Sequence, residues 1–98
     1  MAYRLLNSNT DPQRVICSLD LRRDLRQCLQ QYLDRIWTAD TIINLTHIHG
    51  RALGVGTGLG LVNAITTAQF TLLTEAYMRA FEYRLAELTE RASSVMEG

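Results

Sequence analysis

Four glycines alternate with apolar or small residues in the middle of the chain, in the segment Leu-Gly-Val-Gly-Thr-Gly-Leu-Gly-Leu at residues 53–61. This segment lies within a charge-free span, residues 52–74, that separates two charged halves. Each glycine inside a helix costs about 1 kcal/mol relative to alanine. Glycine also adopts positive φ angles without steric cost. The segment therefore predicts a flexible hinge or a broken helix at residues 51–60.

A continuous helix is the second interpretation of the same segment. Because residues four apart lie on one helix face, Gly50, Gly54 and Gly58 would form one strip, and Gly56 with Gly60 a second. Bare backbone along such strips lets another helix approach closely. An extended strand is the third interpretation, and it would leave one face without side chains. We expect the glycines at positions 54, 56, 58 and 60 to serve as a hinge or as close helix-packing sites.

The glycines do not match a phosphate-binding loop. The dinucleotide fingerprint needs glycines at its first, third and sixth positions, and here Leu59, Leu61 or Asn63 falls where the last glycine belongs. A Walker-type loop needs a lysine, and all ten basic residues of this chain are arginines. We therefore expect no nucleotide or other cofactor.

Length and composition indicate one small globular domain, residues 1–98. The net charge is zero, which gives no general reason to expect nucleic acid or an anionic membrane as the partner. Cys17 and Cys28 do not form a secreted disulfide framework, and the N-terminus lacks a signal-peptide core, so we expect a cytoplasmic protein. Residues 52–74 are long enough to span a bilayer, but the polar residues within them argue against a membrane location.

Apolar residues recur at helical spacing on both sides of the glycines. After an irregular arm at 1–11, Asp11 and Pro12 form a typical helix start, which opens a first helical half at 12–50. A second long helix is predicted at 61–95. The apolar face of the first half comprises Leu21, Leu25, Cys28, Leu29, Tyr32, Leu33 and Ile36. The face of the second comprises Leu61, Ile65, Ala68, Leu72, Ala76, Ala80, Leu85, Leu88 and Ala92, widened by Phe70, Leu73, Tyr77 and Phe81.

These patterns predict an all-α fold, a helical hairpin of two long helices joined by a glycine-rich bend. Two helices alone leave part of such wide apolar faces exposed to water. Pairing of two hairpins into a four-helix bundle would bury the remainder, and a symmetric homodimer is the commonest closed assembly. We therefore expect the protein to bind itself, another protein, or both.

Two groups of residues are candidates for partner binding. Large aromatic side chains often anchor protein interfaces, which points to Tyr32, Trp37, Tyr77 and Phe81. Core packing is the alternative for the same side chains. A basic surface could be formed by Arg22, Arg23 and Arg26. Asp20 and Asp24 are interleaved with these arginines, so a solvated helix face with salt bridges is the alternative there.

Residues suited to catalysis or metal binding are few. His47 and His49 are two positions apart, so on a helix they point in nearly opposite directions and cannot share a metal ion. Their spacing from the two cysteines matches no structural zinc pattern. No local motif pairs a nucleophile with a base. We expect neither a catalytic site nor a metal site, and hence no enzyme.

Three features resemble the small helical hairpin proteins exported by type VII secretion. They are the chain length, the two helices with a central bend, and the sequence Tyr83-Arg-Leu-Ala-Glu87, which is similar to that family's Tyr-x-x-x-Asp/Glu signal. Residues 63–70 together with Tyr77 are also similar to its Pro-Glu-named branch. The chain has neither the family's Trp-x-Gly turn nor a Pro-Glu pair. The resemblance implies a helical hairpin and export dependent on Tyr83.

The sequence thus predicts a non-catalytic protein–protein interaction module, such as an adaptor, a chaperone-like protein or a regulatory subunit. A dimeric nucleic-acid-binding regulator is an alternative, and so are an exported hairpin protein and a membrane-active segment around 52–74. A nucleic-acid-binding protein would lose affinity steeply with salt, which an adaptor would not.

Overall fold

The computed structural model describes the backbone of residues 11–97 and the side chains of residues 11–92, so residues 1–10 of the arm expected at 1–11 lie outside the described residues. The described chain is all-helical, which confirms the predicted all-α class. It forms four helices rather than two: α1 (Pro12–Ser18), α2 (Arg23–Thr38), α3 (Ile42–Leu61) and α4 (Thr67–Glu97). The predicted first helical half is therefore divided into α1, α2 and the first part of α3.

Short polar and arginine contacts fix the two ends of α1. The side chain of Asp11 accepts a hydrogen bond from the Gln13 amide, at 3.1 Å, and Pro12 occupies the first helical position, as the sequence predicted. After α1, the Arg26 guanidinium donates to the carbonyl oxygens of Leu19 and Leu21, at 3.4 and 3.3 Å. Because these carbonyls follow the end of α1, Arg26 holds the turn that leads into α2.

The glycine-rich segment is helical, so the hinge predicted at residues 51–60 is wrong. It forms the second half of α3, and no described glycine adopts a positive φ. A Cβ placed on Gly56 would lie 3.3 Å from Leu73 Cδ2, and one on Gly60 would lie 3.8 Å from Phe70 Cδ1. Gly56 thus lets α4 pack closely on α3, and this packing offsets the low helix propensity of glycine at that position.

The bend lies later in the chain than predicted, between Leu61 and Thr67, and Asn63 makes it. Asn63 has a φ of 60°, and the two amides after Val62 donate back into α3: Asn63 to the Gly60 carbonyl at 3.1 Å and Ala64 to the Leu59 carbonyl at 2.8 Å. This is a Schellman motif with Asn in the left-handed position.

Thr66 and Gln69 then start α4 as a reciprocal capping pair. The Gln69 amide donates to Thr66 Oγ1 at 3.0 Å, and the Thr66 amide donates to Gln69 Oε1 at 2.8 Å. Two backbone donors at the helix start are thereby satisfied. The second long helix consequently begins at Thr67 and not at residue 61.

Substitution of Asn63 tests whether the left-handed backbone conformation at this position affects stability. We expect Asn63→Ala to lower the free energy of unfolding by about 1 kcal/mol, because asparagine tolerates the left-handed conformation better than alanine does. Asn63→Gly should leave the free energy of unfolding unchanged or raise it. Thermal unfolding of both variants measures the difference, with the exposed neighbour Ala64→Gly as the control. Equal stability of the Ala and Gly variants would contradict the role of the φ angle.

Helix α4 contacts α1, α2 and α3, and its contact with α3 is the most extensive between any two helices. Its 31 residues are about 46 Å long, against about 30 Å for the 20 residues of α3. The two helices are antiparallel, as shown by the approach of Gly60 to Phe70, Gly56 to Leu73 and His49 to Phe81. The last turns of α4 therefore run beyond the start of α3.

The buried face of α4 agrees only in part with the predicted one, since Ala76, Ala80 and Leu88 are buried as expected while Ala68, Leu72 and Ala92 are exposed. Leu73, Tyr77 and Ala80 have no exposed surface, whereas Leu72 is 44% exposed. The close contact between α3 and α4 at Gly56 selects Leu73, since this residue faces the bare backbone. The buried apolar core comprises Val15, Ile16, Leu19, Leu29, Leu33, Ile36, Ala39, Leu45, Ala52, Ile65, Leu73, Ala76, Tyr77, Ala80 and Leu88.

Candidate functional site

The four aromatic residues considered for partner binding pack against the core. Tyr77 is fully buried, and its hydroxyl donates a hydrogen bond to the Leu29 carbonyl oxygen at 2.8 Å. Burial raises the pKa of Tyr77 well above its ordinary value. Tyr32, Trp37 and Phe81 are half-buried beside the core. Tyr77 thus presents no surface to a partner, and the other three present only part of theirs.

The three arginines considered as a basic surface make local contacts. The Arg22 guanidinium donates to both carboxylate oxygens of Asp24, at 2.6 and 3.2 Å, and this contact lowers the pKa of Asp24. Arg26 donates its hydrogen bonds to carbonyl oxygens of the turn after α1, and Arg23 is exposed. The arrangement therefore resembles the salt-bridged helix face more than a continuous basic surface.

The outer face of α3 is an exposed surface with few side chains. We define it as the exposed stripe of Ile43, His47, Gly50, Gly54, Gly58 and Leu61. These residues share one side of α3, opposite the buried Leu45, His49, Ala52 and Gly56. Ile43 is 73% exposed and Leu61 is 79% exposed. None of the six residues of this face carries a permanent charge.

The two glycine strips of α3 have different surroundings. A Cβ added at Gly50, Gly54 or Gly58 would meet no atom within 4 Å in the described chain. The Gly56 and Gly60 strip, in contrast, faces Leu73 and Phe70 of α4. Folding of a single chain thus accounts for Gly56, where a Cβ would be crowded, whereas a Cβ at Gly60 would be in ordinary van der Waals contact and one on the outer face would meet no atom.

His49 is buried in the contact between α3 and α4. It is 8% exposed, and its ring stacks on Phe81 with 4.5 Å between centroids and 21° between planes. Its Nε2 has no hydrogen-bond partner in the described chain. Burial lowers the pKa of His49, because the charged imidazolium would lose its hydration there. His47, two positions earlier, is exposed.

This burial predicts a pH dependence of stability. Because the folded-state pKa of His49 lies below the ordinary 6.5, the unfolded chain binds a proton more readily, and stability should fall as the pH drops below about 6.5. Urea unfolding at pH 7.5 and 5.5 measures the change. His49→Leu should remove most of the difference in stability between the two pH values, and His47→Leu should keep that difference. An unchanged pH dependence in His49→Leu would contradict the assignment.

A groove of about 580 Å³ lies where the start of α3 meets the last part of α4. Apolar side chains of Ile42, Ile43 and Leu88 form much of its wall, and Asp40 and Arg91 also line it. Ile42 is 43% exposed, whereas Leu88 is 6% exposed. The groove adjoins the outer face of α3, since Ile43 belongs to both.

Sequence reasoning missed Ile42, Ile43 and Asn63. A signal existed for each. Thr41 is a capping residue, and its side chain accepts a hydrogen bond from the Asn44 amide at 3.0 Å, which places two isoleucines in the first turn of a helix. The pattern Asn63, then Thr66-x-x-Gln69, marks one helix end followed by another helix start.

Tyr83 and Glu87, the residues similar to an export signal, lie within α4, where Glu87 accepts a hydrogen bond from Arg84 at 3.3 Å.

Cys17 and Cys28 form no disulfide. In the part of the chain with described side chains, no three His, Cys, Asp or Glu residues are grouped as metal ligands would be. No described helix combines the length and the apolar character needed to cross a membrane.

Comparison of the chain with models of protein families, with curated proteins and with solved structures finds no match in any of the three.

Proposed function

We propose that the protein is a non-catalytic interaction module of the adaptor or regulatory type, which pairs with a second copy of itself through the outer face of α3. The observation that carries the proposal is the exposed glycine strip of Gly50, Gly54 and Gly58, whose missing side chains serve no packing within the described chain. Ile43 and Leu61 extend the strip at its two ends with exposed apolar surface.

The energetics of α3 support this proposal. Three exposed glycines cost a helix about 3 kcal/mol relative to alanine, at about 1 kcal/mol each. A partner helix recovers such a cost where it approaches the bare backbone, since close approach increases the number of van der Waals contacts. The absence of permanent charge from the outer face also lowers the cost of removing it from water.

The pairing predicts opposite effects of one substitution on stability and on association. Gly54→Ala should raise the free energy of unfolding of the single chain by up to about 1 kcal/mol, because the new Cβ meets no atom and alanine favours the helix. The same Cβ should weaken the dimer, since it holds the second helix away. Light scattering over a dilution series measures the mass, and urea unfolding at low concentration measures the stability.

Gly54→Leu and Ala86→Leu form a matched pair for this test. Both add a leucine at an exposed helical position, the first on the outer face and the second on α4. Gly54→Leu should abolish the dimer, and Ala86→Leu should leave it unchanged. A monomeric wild-type protein at every concentration, or a dimer unaffected by Gly54→Leu, would rule out the proposal.

A further inference from the structure

We propose that two copies of the chain pair in parallel, so that the groove at the start of α3 meets the same groove of the second copy. This inference rests on the proposed pairing through the outer face of α3 and adds its orientation and its charge contacts. In this parallel dimer, Asp40 of each copy forms an ion pair with Arg91 of the other copy.

The groove is suited to a copy of itself because it carries both charges of an ion pair around an apolar centre. Asp40 and Arg91 line it from two different parts of the chain, the connection between α2 and α3 and the last part of α4. Neither takes part in an ion pair within 4 Å among the described residues. Asp40 Oδ1 accepts a hydrogen bond from Asn44 Nδ2 at 3.3 Å, which orients the carboxylate.

A two-fold axis makes such a patch complementary to itself. In a symmetric dimer each contact occurs twice, so Asp40 meets Arg91 of the second copy and Arg91 meets Asp40 of the second copy. The exposed Ile42 and Ile43 then face their counterparts between the two ion pairs and lose contact with water.

The position of the groove decides the orientation of the two α3 helices. The groove lies at the start of α3, about 30 Å from the end of that helix. In an antiparallel pair the groove of one copy would lie beside Leu61 of the other, and Asp40 and Arg91 would stay unpaired. Only a parallel pair brings the glycine strips and the grooves together in one surface, which is continuous through Ile43.

Complementation between charge-reversed variants tests the inference. Asp40→Arg and Arg91→Asp should each weaken self-association at least about tenfold, because each replaces two ion pairs by two like-charge contacts. An equimolar mixture of the two variants should pair. In the mixed dimer, the arginine introduced at position 40 of one chain would meet the aspartate introduced at position 91 of the other, and the unchanged Arg91 and Asp40 would meet each other. Sedimentation velocity at low salt measures all three samples, and circular dichroism checks that each variant folds.

The outcomes separate this inference from the proposed function. A dimer that Gly54→Leu abolishes, but that both charge variants leave intact, would keep the pairing through the outer face and overturn the parallel arrangement. Weakening in each variant without recovery in the mixture would also overturn it. Either of two results would reject the proposed function itself: a dimer that Gly54→Leu leaves intact, or a wild-type protein that stays monomeric.

Discussion

Tyr77→Ala should lower the free energy of unfolding by about 3–5 kcal/mol, the loss expected when a large aromatic core residue is truncated. Tyr77 lies in the part of α4 that packs on α2, has no exposed surface and donates a hydrogen bond to the Leu29 carbonyl oxygen at 2.8 Å. Truncation would leave a cavity between two helices. Because small domains have a total stability of about 5–15 kcal/mol, this variant would lose a large fraction of it.

Tyr77→Phe separates the hydroxyl from the ring. It keeps the packing and removes only the hydrogen bond to Leu29, so the free energy of unfolding should fall by about 1 kcal/mol. Urea unfolding measures both variants. The adjacent Met78, which is 42% exposed, provides the control, and Met78→Ala should cost far less than Tyr77→Ala. Similar losses for Met78→Ala and Tyr77→Ala would contradict the packing of α4 described above.

Arg84→Met should lower the free energy of unfolding by about 3 kcal/mol. Arg84 is 8% exposed, its Nε donates to the Ala39 carbonyl oxygen at 2.8 Å, and its Nη1 lies 3.3 Å from Glu87 Oε1. Methionine keeps most of the apolar stem and removes the donors. The substitution would leave the carbonyl at the end of α2 and the half-buried Glu87 carboxylate without their partner, which is costly away from water.

The pair of Arg79 and Glu75 on the same helix is the matched control. Its side chains are 33% and 53% exposed and 3.8 Å apart, so Arg79→Met should change stability by at most about 0.5 kcal/mol. Thermal unfolding of the two variants gives the comparison. In the double variant Arg84→Met/Glu87→Gln, part of the loss should be recovered, since no unpaired carboxylate remains. Equal effects at positions 79 and 84 would show that Arg84 does not join α4 to the end of α2.

Local sequence was enough for several features of the fold. The apolar spacing in residues 21–36 predicted a helix whose buried positions include Leu29, Leu33 and Ile36. Asp11 and Pro12 predicted the start of α1. These features depend on helix periodicity and on capping within three or four residues, so the chain determines them without reference to distant parts.

The candidate surface was only partly predictable. The helical interpretation of the glycines gave two strips, and the sequence could not say which strip faces a neighbour. The structure places Gly56 and Gly60 against α4 and leaves Gly50, Gly54 and Gly58 open. This distinction depends on the direction from which α4 approaches, which is a property of packing between segments far apart in sequence.

The all-α class and the helix start at Asp11 are thus properties of the sequence by itself, because short-range hydrogen bonding and periodicity determine them. The helical state of residues 51–60 and the inward position of Tyr77 were decided by tertiary structure. Glycine propensity favours a hinge when only neighbours along the chain are considered. Contact of Gly56 with Leu73 reverses that preference, since close packing against α4 is available only once both helices are in place.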